Sequence, residues 1–217
     1  TTVTYAGGAE SETNSNFEHV LGTAGDDVIT GDAQGNSLVG GGGDDTLDGR
    51  AGSDTLFAGA GDDSIIGGEG PNDSDLLDYS DDSDGVTVIF DGTESGVVTG
   101  TSTGRDTFRQ IERIALSNQD DAVNAFADTV GVDIDLLDGD DFIRPGQGQD
   151  IMDGGAGVDE IGYFDSPSAV TLNLLTGTGT GGSAQGDSFI RFESFQLTEF
   201  DDTFLGGLAL PGGGLIA

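Results

Sequence analysis

The sequence predicts an all-β chain wound as a parallel solenoid, with short β-hairpin interludes between its coiled blocks. Three observations carry that expectation. Glycine fills 40 of the 217 positions, against a usual share of roughly 7%. Asp+Glu total 41 and Lys+Arg total 6, for a formal net charge of −35. An aspartate and a large apolar residue recur together in a phase of nine residues, and a fixed period marks stacked units that decide the fold before any single motif does.

The charge limits the partners. The cations are Arg50, Arg105, Arg109, Arg113, Arg144 and Arg191, with no lysine. Two carboxylates about 5 Å apart repel by on the order of 1 kcal/mol even in water, so a chain this acidic and weakly apolar tends to disorder unless neutralised. Nucleic acid and anionic membrane are poor partners for this sign of charge, so no nucleic-acid partner is expected and a multivalent cation is the natural one. Cysteine is absent, which removes disulfides and thiolate metal sites. No apolar run reaches the length of a membrane span. Thr1 opens the chain without a charged-then-apolar leader, so the expectation is a processed fragment or export that needs no N-terminal signal.

The elements follow in order. Residues 1–21 form a leading strand segment. The first block, 22–78, holds nine-residue units starting at Gly22, Gly31, Gly40, Gly49, Ala58 and Gly67. Their sixth places are Asp27, Asn36, Asp45, Asp54, Asp63 and Asp75, and their eighth places Ile29, Leu38, Leu47, Leu56, Ile65 and Leu77. The last unit is lengthened around Pro71-Asn72-Asp73-Ser74. An interlude at 79–115 contains Val86-Thr-Val-Ile-Phe and a Gly/Thr-rich turn, the pattern of a hairpin. The second block, 116–162, begins with a weaker unit carrying Asp121 and Val123, crosses an off-pattern stretch at 125–135, and resumes from Leu136. There the sixth places are Asp141, Asp150 and Asp159, and the eighth places Ile143, Met152 and Ile161. A second interlude, 163–200, contains Val170-Thr-Leu-Asn-Leu, and 201–217 starts a third, truncated block.

A longer duplication overlies the short one. Asp106-Thr-Phe-Arg-Gln-Ile-Glu-Arg-Ile leads to Asp120-Asp121, and Asp187-Ser-Phe-Ile-Arg-Phe-Glu-Ser-Phe leads to Asp201-Asp202 at the same spacing. Phe17-Glu-His-Val is a shorter third copy, and Tyr79 and Tyr163 introduce the two interludes alike.

One apolar residue in nine suits a six-residue loop followed by a three-residue strand with its central side chain inward. The pattern Gly-Gly-x-Gly-x-Asp-x-U-x, with U large and apolar, resembles the calcium-binding repeat of the repeats-in-toxin (RTX) family. The likeness is close over 22–78 and 136–162. It implies a parallel β-roll holding several Ca2+ ions between stacked loops, with two units per coil. The implied ligands are the sixth-place side chains named above and the loop backbone at first-place Gly22, Gly40 and Gly49, second-place Gly41, Gly59, Gly68 and Gly155, and fourth-place Gly43, Gly52, Gly61, Gly70, Gly139, Gly148 and Gly157. The physics agrees: glycine permits the turns that let carbonyls converge, and calcium takes six to eight hard oxygens at about 2.3–2.6 Å. Strand spacing puts stacked loops about 4.8 Å apart, which pairs Asp27 with Asp45, Asp45 with Asp63, Asn36 with Asp54, Asp54 with Asp75 and Asp141 with Asp159. Asp150 has no evident neighbour, Asn36 weakens its site, and the Pro71 insertion distorts the one using Asp75.

Other features have plainer readings. Salt-adapted acidity would scatter its charges, whereas these keep one phase. His19 is the only histidine, and its counterparts are Arg113 and Ser194, so no catalytic role is shared by the copies. Gly186-Asp187-Ser188-Phe189 looks like a nucleophile block, but its counterpart is Arg105-Asp106-Thr107-Phe108. Thr99-Gly-Thr-Ser-Thr and Thr176-Gly-Thr-Gly-Thr read as hairpin tips, and fifth-place Asp26, Asp44, Asp62 and Asp140 as outward-facing.

The function expected is calcium binding that drives extracellular folding, and no enzyme activity is expected of this chain. By resemblance the route is type I secretion from a Gram-negative bacterium, although Pro211-Gly-Gly-Gly-Leu-Ile-Ala departs from the usual export signal and points to trimming. The chain then serves as a structural or adhesive segment of a secreted surface protein. Its partners, besides calcium, would be extracellular polysaccharide, a cell surface or further copies of itself. The alternative is the non-catalytic module of a secreted protease, lipase or polysaccharide-modifying enzyme.

Overall fold

The computed structural model describes residues 2–4, 11–13, 18–71 and 73–206. Phe17, Asn72 and residues 207–217, which carry parts of the leading segment, the Pro71 insertion and the third block, lie outside them.

The described chain is a parallel β-roll of two facing sheets. One sheet has twelve strands. It runs through β1 (Thr2–Thr4), β3 (His19–Leu21), β5 (Ser37–Gly42), β7 (Thr55–Ala60), β9 (Leu76–Asp78) and β13 (Arg113–Ala115). It continues through β15 (Asp133–Asp135), β17 (Ile151–Asp153), β21 (Ser188–Ile190), β20 (Thr178–Thr180), β19 (Thr171–Asn173) and β23 (Thr203–Leu205). The facing sheet has eleven. Its order is β2 (Ser11–Thr13), β4 (Val28–Thr30), β6 (Thr46–Arg50), β8 (Ser64–Gly68), β12 (Gly104–Arg109) and β11 (Ser95–Gly100). It ends with β10 (Val86–Gly92), β14 (Ala122–Asn124), β16 (Phe142–Arg144), β18 (Glu160–Gly162) and β22 (Ser194–Gln196).

Within a block the chain alternates between sheets, one nine-residue unit per strand. Leu38 therefore faces Leu56 and Ile29 faces Leu47, one coil apart. Successive strand residues point to opposite faces, so in the three-residue strands the eighth-place residue alone points inward. Leu38, Leu47, Leu56, Ile65, Leu77, Ile143, Met152 and Ile161 are all buried. The inserted residues after Pro71 leave this register intact, because Leu76 still faces Thr55 and Leu77 faces Leu56.

The interludes do not interrupt the roll. The hairpin β10–β11 continues into β12, and the three lie antiparallel. β12 lies parallel beside β8 and β10 parallel beside β14: the chain skips ahead and then fills the gap backwards. The second interlude does the same in the other sheet, with β19, β20 and a 3-10 turn at Gly182–Ala184 leading to β21, which joins β17. Each interlude thus keeps the chain on one face for three strands in place of one, and because the faces alternate the sheets end nearly equal. Gly96, between Phe90 and Phe108, makes the first meander possible: a Cβ there would meet the Phe108 ring at 2.9 Å. Over the bare glycine the two rings meet edge to face, 5.3 Å between centroids. The off-pattern stretch ends in β15, whose Ile134 takes the inward place between Ile114 and Met152. Of the threonine runs expected at hairpin tips, Thr99 and Thr178–Thr180 lie inside strands and only Thr101–Thr103 and Thr176 are in turns. Strand pairing claims them because each is one arm of a meander.

Leu56 is fully buried in the middle of its inward row, facing Leu38 on one side and Leu77 on the other. Leu56→Ala should lower the stability of the calcium-saturated chain by about 2–5 kcal/mol in denaturant unfolding. Ile151→Ala, at a position 55% exposed, should change it by less than about 0.5 kcal/mol.

Candidate metal centre

The sixth-place residue ends each loop, directly before its strand, and the coil repeat sets it over its counterpart. Its backbone N–H donates to Oδ1 of the next acid along the stack. Asp27 donates to Asp45 at 2.8 Å and Asp45 to Asp63 at 2.7 Å; on the other side Asn36 donates to Asp54 at 2.6 Å and Asp54 to Asp75 at 2.8 Å. In the second block Asp141 donates to Asp159 at 3.0 Å. These side chains are at most 4% exposed.

The other carboxylate oxygen decides the chemistry. Oδ2 of Asp45, Asp54, Asp63, Asp75, Asp141 and Asp159 is buried and has no hydrogen-bond partner. Buried polar atoms are nearly always satisfied, and a buried carboxylate without a donor or cation is costly. Before Oδ2 of Asp45, Asp54, Asp75 and Asp159 the space is kept clear by first-place glycine, whereas Ala58 and Leu136 hold that place in the units of Asp63 and Asp141. A Cβ on Gly40 would fall against Asp45 Oδ2 and lie 2.5 Å from the Ala58 carbonyl oxygen; one on Gly49 would fall against Asp54 Oδ2 and 2.5 Å from the Gly67 oxygen. Gly31 repeats the cradle with the Asn36 side-chain oxygen and the Gly49 carbonyl. Among the described residues no three acidic, histidine or cysteine side chains converge on one point, so an ion here would be held largely by carbonyls. An all-oxygen, flexible, carbonyl-rich cradle fits calcium rather than a metal that prefers nitrogen or sulfur.

The expected loop glycines divide by role. Gly41, Gly43, Gly52, Gly59, Gly61, Gly68, Gly139, Gly155 and Gly157 have φ between +85° and +148°. Gly22, Gly40, Gly49, Gly70 and Gly148 are outside that region, and the first three are needed for the space a side chain would take. Not every sixth-place oxygen is exposed to the cradle. Asp27 Oδ2 accepts from the Thr23 N–H and hydroxyl at 2.7 and 2.9 Å, and Asn36 Oδ1 from the Asp32 N–H at 2.8 Å. Asp150 accepts from Val132 N–H and Gly146 N–H. It does have a stacked neighbour, Asp187, whose Oδ1 receives the Asp150 N–H at 3.1 Å.

Asp187 is one of several members that spacing alone missed. Asp106 Oδ1 receives the Asp63 N–H, and Glu112 and Glu193 receive those of Asp75 and Asp159; Asp121, which spacing did place in its weaker unit, receives the Val86 N–H. A signal for the first existed: Gly104, Asp106 and Phe108 stand in the fourth, sixth and eighth places of a nine-residue unit, 101–109. Ala184-Gln-Gly-Asp-Ser-Phe likewise echoes Ala33-Gln-Gly-Asn-Ser-Leu. The meander turns therefore stack as loops. In both, a buried tyrosine occupies the closing acid: Tyr79 donates to Asp106 Oδ2 at 2.7 Å and Tyr163 to Asp187 Oδ2 at 2.8 Å. Each block opens on a hydroxyl clamp of the Thr23 kind, repeated by Ser117 on Asp121 and Thr198 on Asp202.

The remaining features are peripheral. Fifth-place Asp26, Asp44 and Asp62 are exposed and form an outer ladder, accepting from the N–H of Asp44, Asp62 and Arg105. His19 Nδ1 lies 2.9 Å from Ser37 Oγ as a cross-strand neighbour. Ser188, beside the buried Asp187, lies in β21.

Burial is the main reason these acids hold protons: it pushes Asp45 up to about 6 and Asp54, Asp75 and Asp141 to about 7, against the lowering effect of the N–H each accepts. Stacked and flanking carboxylates add to the rise.

A family described as RTX calcium-binding nonapeptide repeat (4 copies) matches residues 13–47, 21–56, 39–73 and 134–161. No curated protein matches the chain.

Two expected outcomes follow from the ladder. Asp45 serves two stacked levels and Asp26 none, so Asp45→Ala should raise the calcium midpoint of folding about tenfold, some 1.4 kcal/mol, and Asp26→Ala less than about twofold; equal effects would refute the assigned frame. In chelator, the folded chain retains protons that the unfolded chain releases near pH 3.8. The resulting penalty is absent below that pH, grows between it and about 7, and is complete above. Acidifying the metal-free chain from pH 7.5 to 5 should therefore increase its β-type far-UV circular dichroism, and a decrease would contradict the buried ladder.

Proposed function

We propose that this chain, whose roll blocks are RTX calcium-binding repeats, folds outside the cell as calcium fills its stacked loops and serves there as a structural or adhesive segment of a secreted bacterial surface protein. The observation that carries the reading is the row of buried, unpartnered Oδ2 atoms, of which those of Asp45, Asp54, Asp75 and Asp159 face glycine-cleared cradles. Asp45, Asp54, Asp63, Asp75, Asp141 and Asp159 would hold the ions, together with first-place carbonyls such as those of Gly49, Ala58 and Gly67. Bound calcium supplies the positive charge that the ladder lacks. The chain's own residues do the rest: Oδ1 of each acid holds the loop below it in register, and first-place glycines keep side chains out of the cradles they line.

Because the cradle is assembled from two coils, it has no counterpart in the unfolded chain, and binding free energy becomes folding free energy. An extracellular setting suits this coupling, since carbonyl-rich extracellular modules bind calcium at about 0.1–1 mM and calcium is scarce inside cells. RTX repeats are typically found in secreted proteins, which supports the same setting. A structural role is supported by how the residues are used. Asp187, in the stretch resembling a nucleophile block, is committed to the ladder, and the meanders extend the roll rather than enclose a substrate.

The reading is tested by far-UV circular dichroism on chelator-stripped chain titrated with calcium, with magnesium as control. Calcium should produce a cooperative gain of β structure with a midpoint on the order of 0.1–1 mM. Magnesium should not, because it demands a tight octahedron and gives up water reluctantly. A chain fully folded in chelator at pH 7.5 would sink the coupling.

A further inference from the structure

We propose that Glu112 and Glu193 each close an additional calcium site at the end of a roll block, where the nine-residue repeat has run out. The inference rests on the calcium reading above and extends it to residues outside the nine-residue repeat, at matching places of the longer duplication.

A stacked site needs a loop on either side. Above the loops ending in Asp75 and Asp159 no further nine-residue loop follows. The chain turns instead in three residues: Gln110-Ile111-Glu112 between β12 and β13, and Arg191-Phe192-Glu193 between β21 and β22. Strand register shows what these short turns replace. Arg113 faces Leu76 and Ser194 faces Glu160, so the two glutamates stand over Asp75 and Asp159 in the sixth place. Each makes the bond a sixth-place aspartate makes: Glu112 Oε2 accepts the Asp75 N–H at 2.7 Å and Glu193 Oε2 the Asp159 N–H at 3.0 Å. The turn is three residues shorter than a repeat loop, and glutamate carries its carboxylate one methylene further from that turn than aspartate would.

The other parts of the cradle are also there. Asp75 and Asp159 are fully buried and their Oδ2 atoms have no partner. Glycine stands in the first place below, and a Cβ on Gly67 would fall against Asp75 Oδ2 and the Gln110 carbonyl. A Cβ on Gly154 would fall against Asp159 Oδ2, 2.9 Å away, and the Arg191 carbonyl. Gln110 and Arg191 adopt φ of +56° and +60°, an unfavourable region for side-chain-bearing residues, and this turn is what presents the two carbonyls to the cradle. The tyrosine-closed ends differ. There Ala58 and Pro145 occupy the first place, and a phenol takes Oδ2 of the closing acid. One end of each block is thus closed by a hydroxyl and the other is built for a cation.

The test counts ions. The 217-residue chain, stripped with chelator, is equilibrated by dialysis at the lowest free calcium that saturates it, and bound calcium per chain is measured by atomic absorption. Glu112→Gln and Glu193→Gln keep the acceptor for the backbone N–H and remove the charge. Each should lower the count by one and the double variant by two, with the circular dichroism at saturation unchanged. Counts equal to the parent's would overturn the proposal while leaving the calcium reading intact. A parent that binds no calcium would overturn both. Should the glutamine variants fail to fold, Glu112→Asp and Glu193→Asp keep the charge but fall short of the cradle: a lower count supports the proposal and an unchanged one overturns it.

Discussion

The structure depends on one arrangement: buried carboxylates stacked along the roll, each with one oxygen tied to the backbone of its neighbour and the other left without a partner. The tie sets register, because the N–H of one sixth-place residue can reach only the acid directly over it. The unmet oxygen sets the requirement for a cation. The apolar side of the ledger is thin within the repeat blocks, since each three-residue strand contributes a single inward side chain; the meanders and turns add Tyr79, Phe90, Phe108, Ile111, Leu116 and Tyr163 to the same core. Hydrophobic burial of that size cannot also offset a column of like charges.

Most local features can be derived from that arrangement. First-place glycine is there for room, and second- and fourth-place glycines turn the backbone so that carbonyls face the same point. The outer acids repeat the backbone tie at the surface, where water screens them. The few arginines lie outside the ladder, where Arg113 meets Asp133 at 3.2 Å, Arg144 meets Asp165 and the Phe126 ring, and Arg191 meets Asp153. Pairs this exposed contribute little; they thin the outer charge without competing for the ligand carboxylates.

A repeating column also needs ends, and the chain uses neutral devices as well as charged ones. Thr23, Ser117 and Thr198 clamp the first acid of each block with a hydroxyl and a backbone N–H. Tyr79 and Tyr163 close the column on one side, and Glu112 and Glu193 on the other. The meanders deliver these closing groups. By running three strands on one face they bring a residue distant in sequence back over the last repeat, and they hand the sheet on to the next block without exposing an edge.

The nine-residue phase, read through its likeness to the RTX repeat, was enough to predict the all-β roll, the inward row from Leu38 to Ile161 and the stacking of Asp45 between Asp27 and Asp63. Those follow from local periodicity, because neighbours in space are a constant distance apart in sequence. What only the tertiary structure decided lies where that constancy fails. Asp187 over Asp150, Asp106 over Asp63 and Glu112 over Asp75 join residues separated by 37, 43 and 37 positions, distances set by the path of the meanders rather than by the repeat. The reversal of strand order within each meander, and the choice of tyrosine or glutamate to end a column, depend on which strand edge remains open to be filled. That is a property of the assembled sheets, and no segment of the sequence carries it alone.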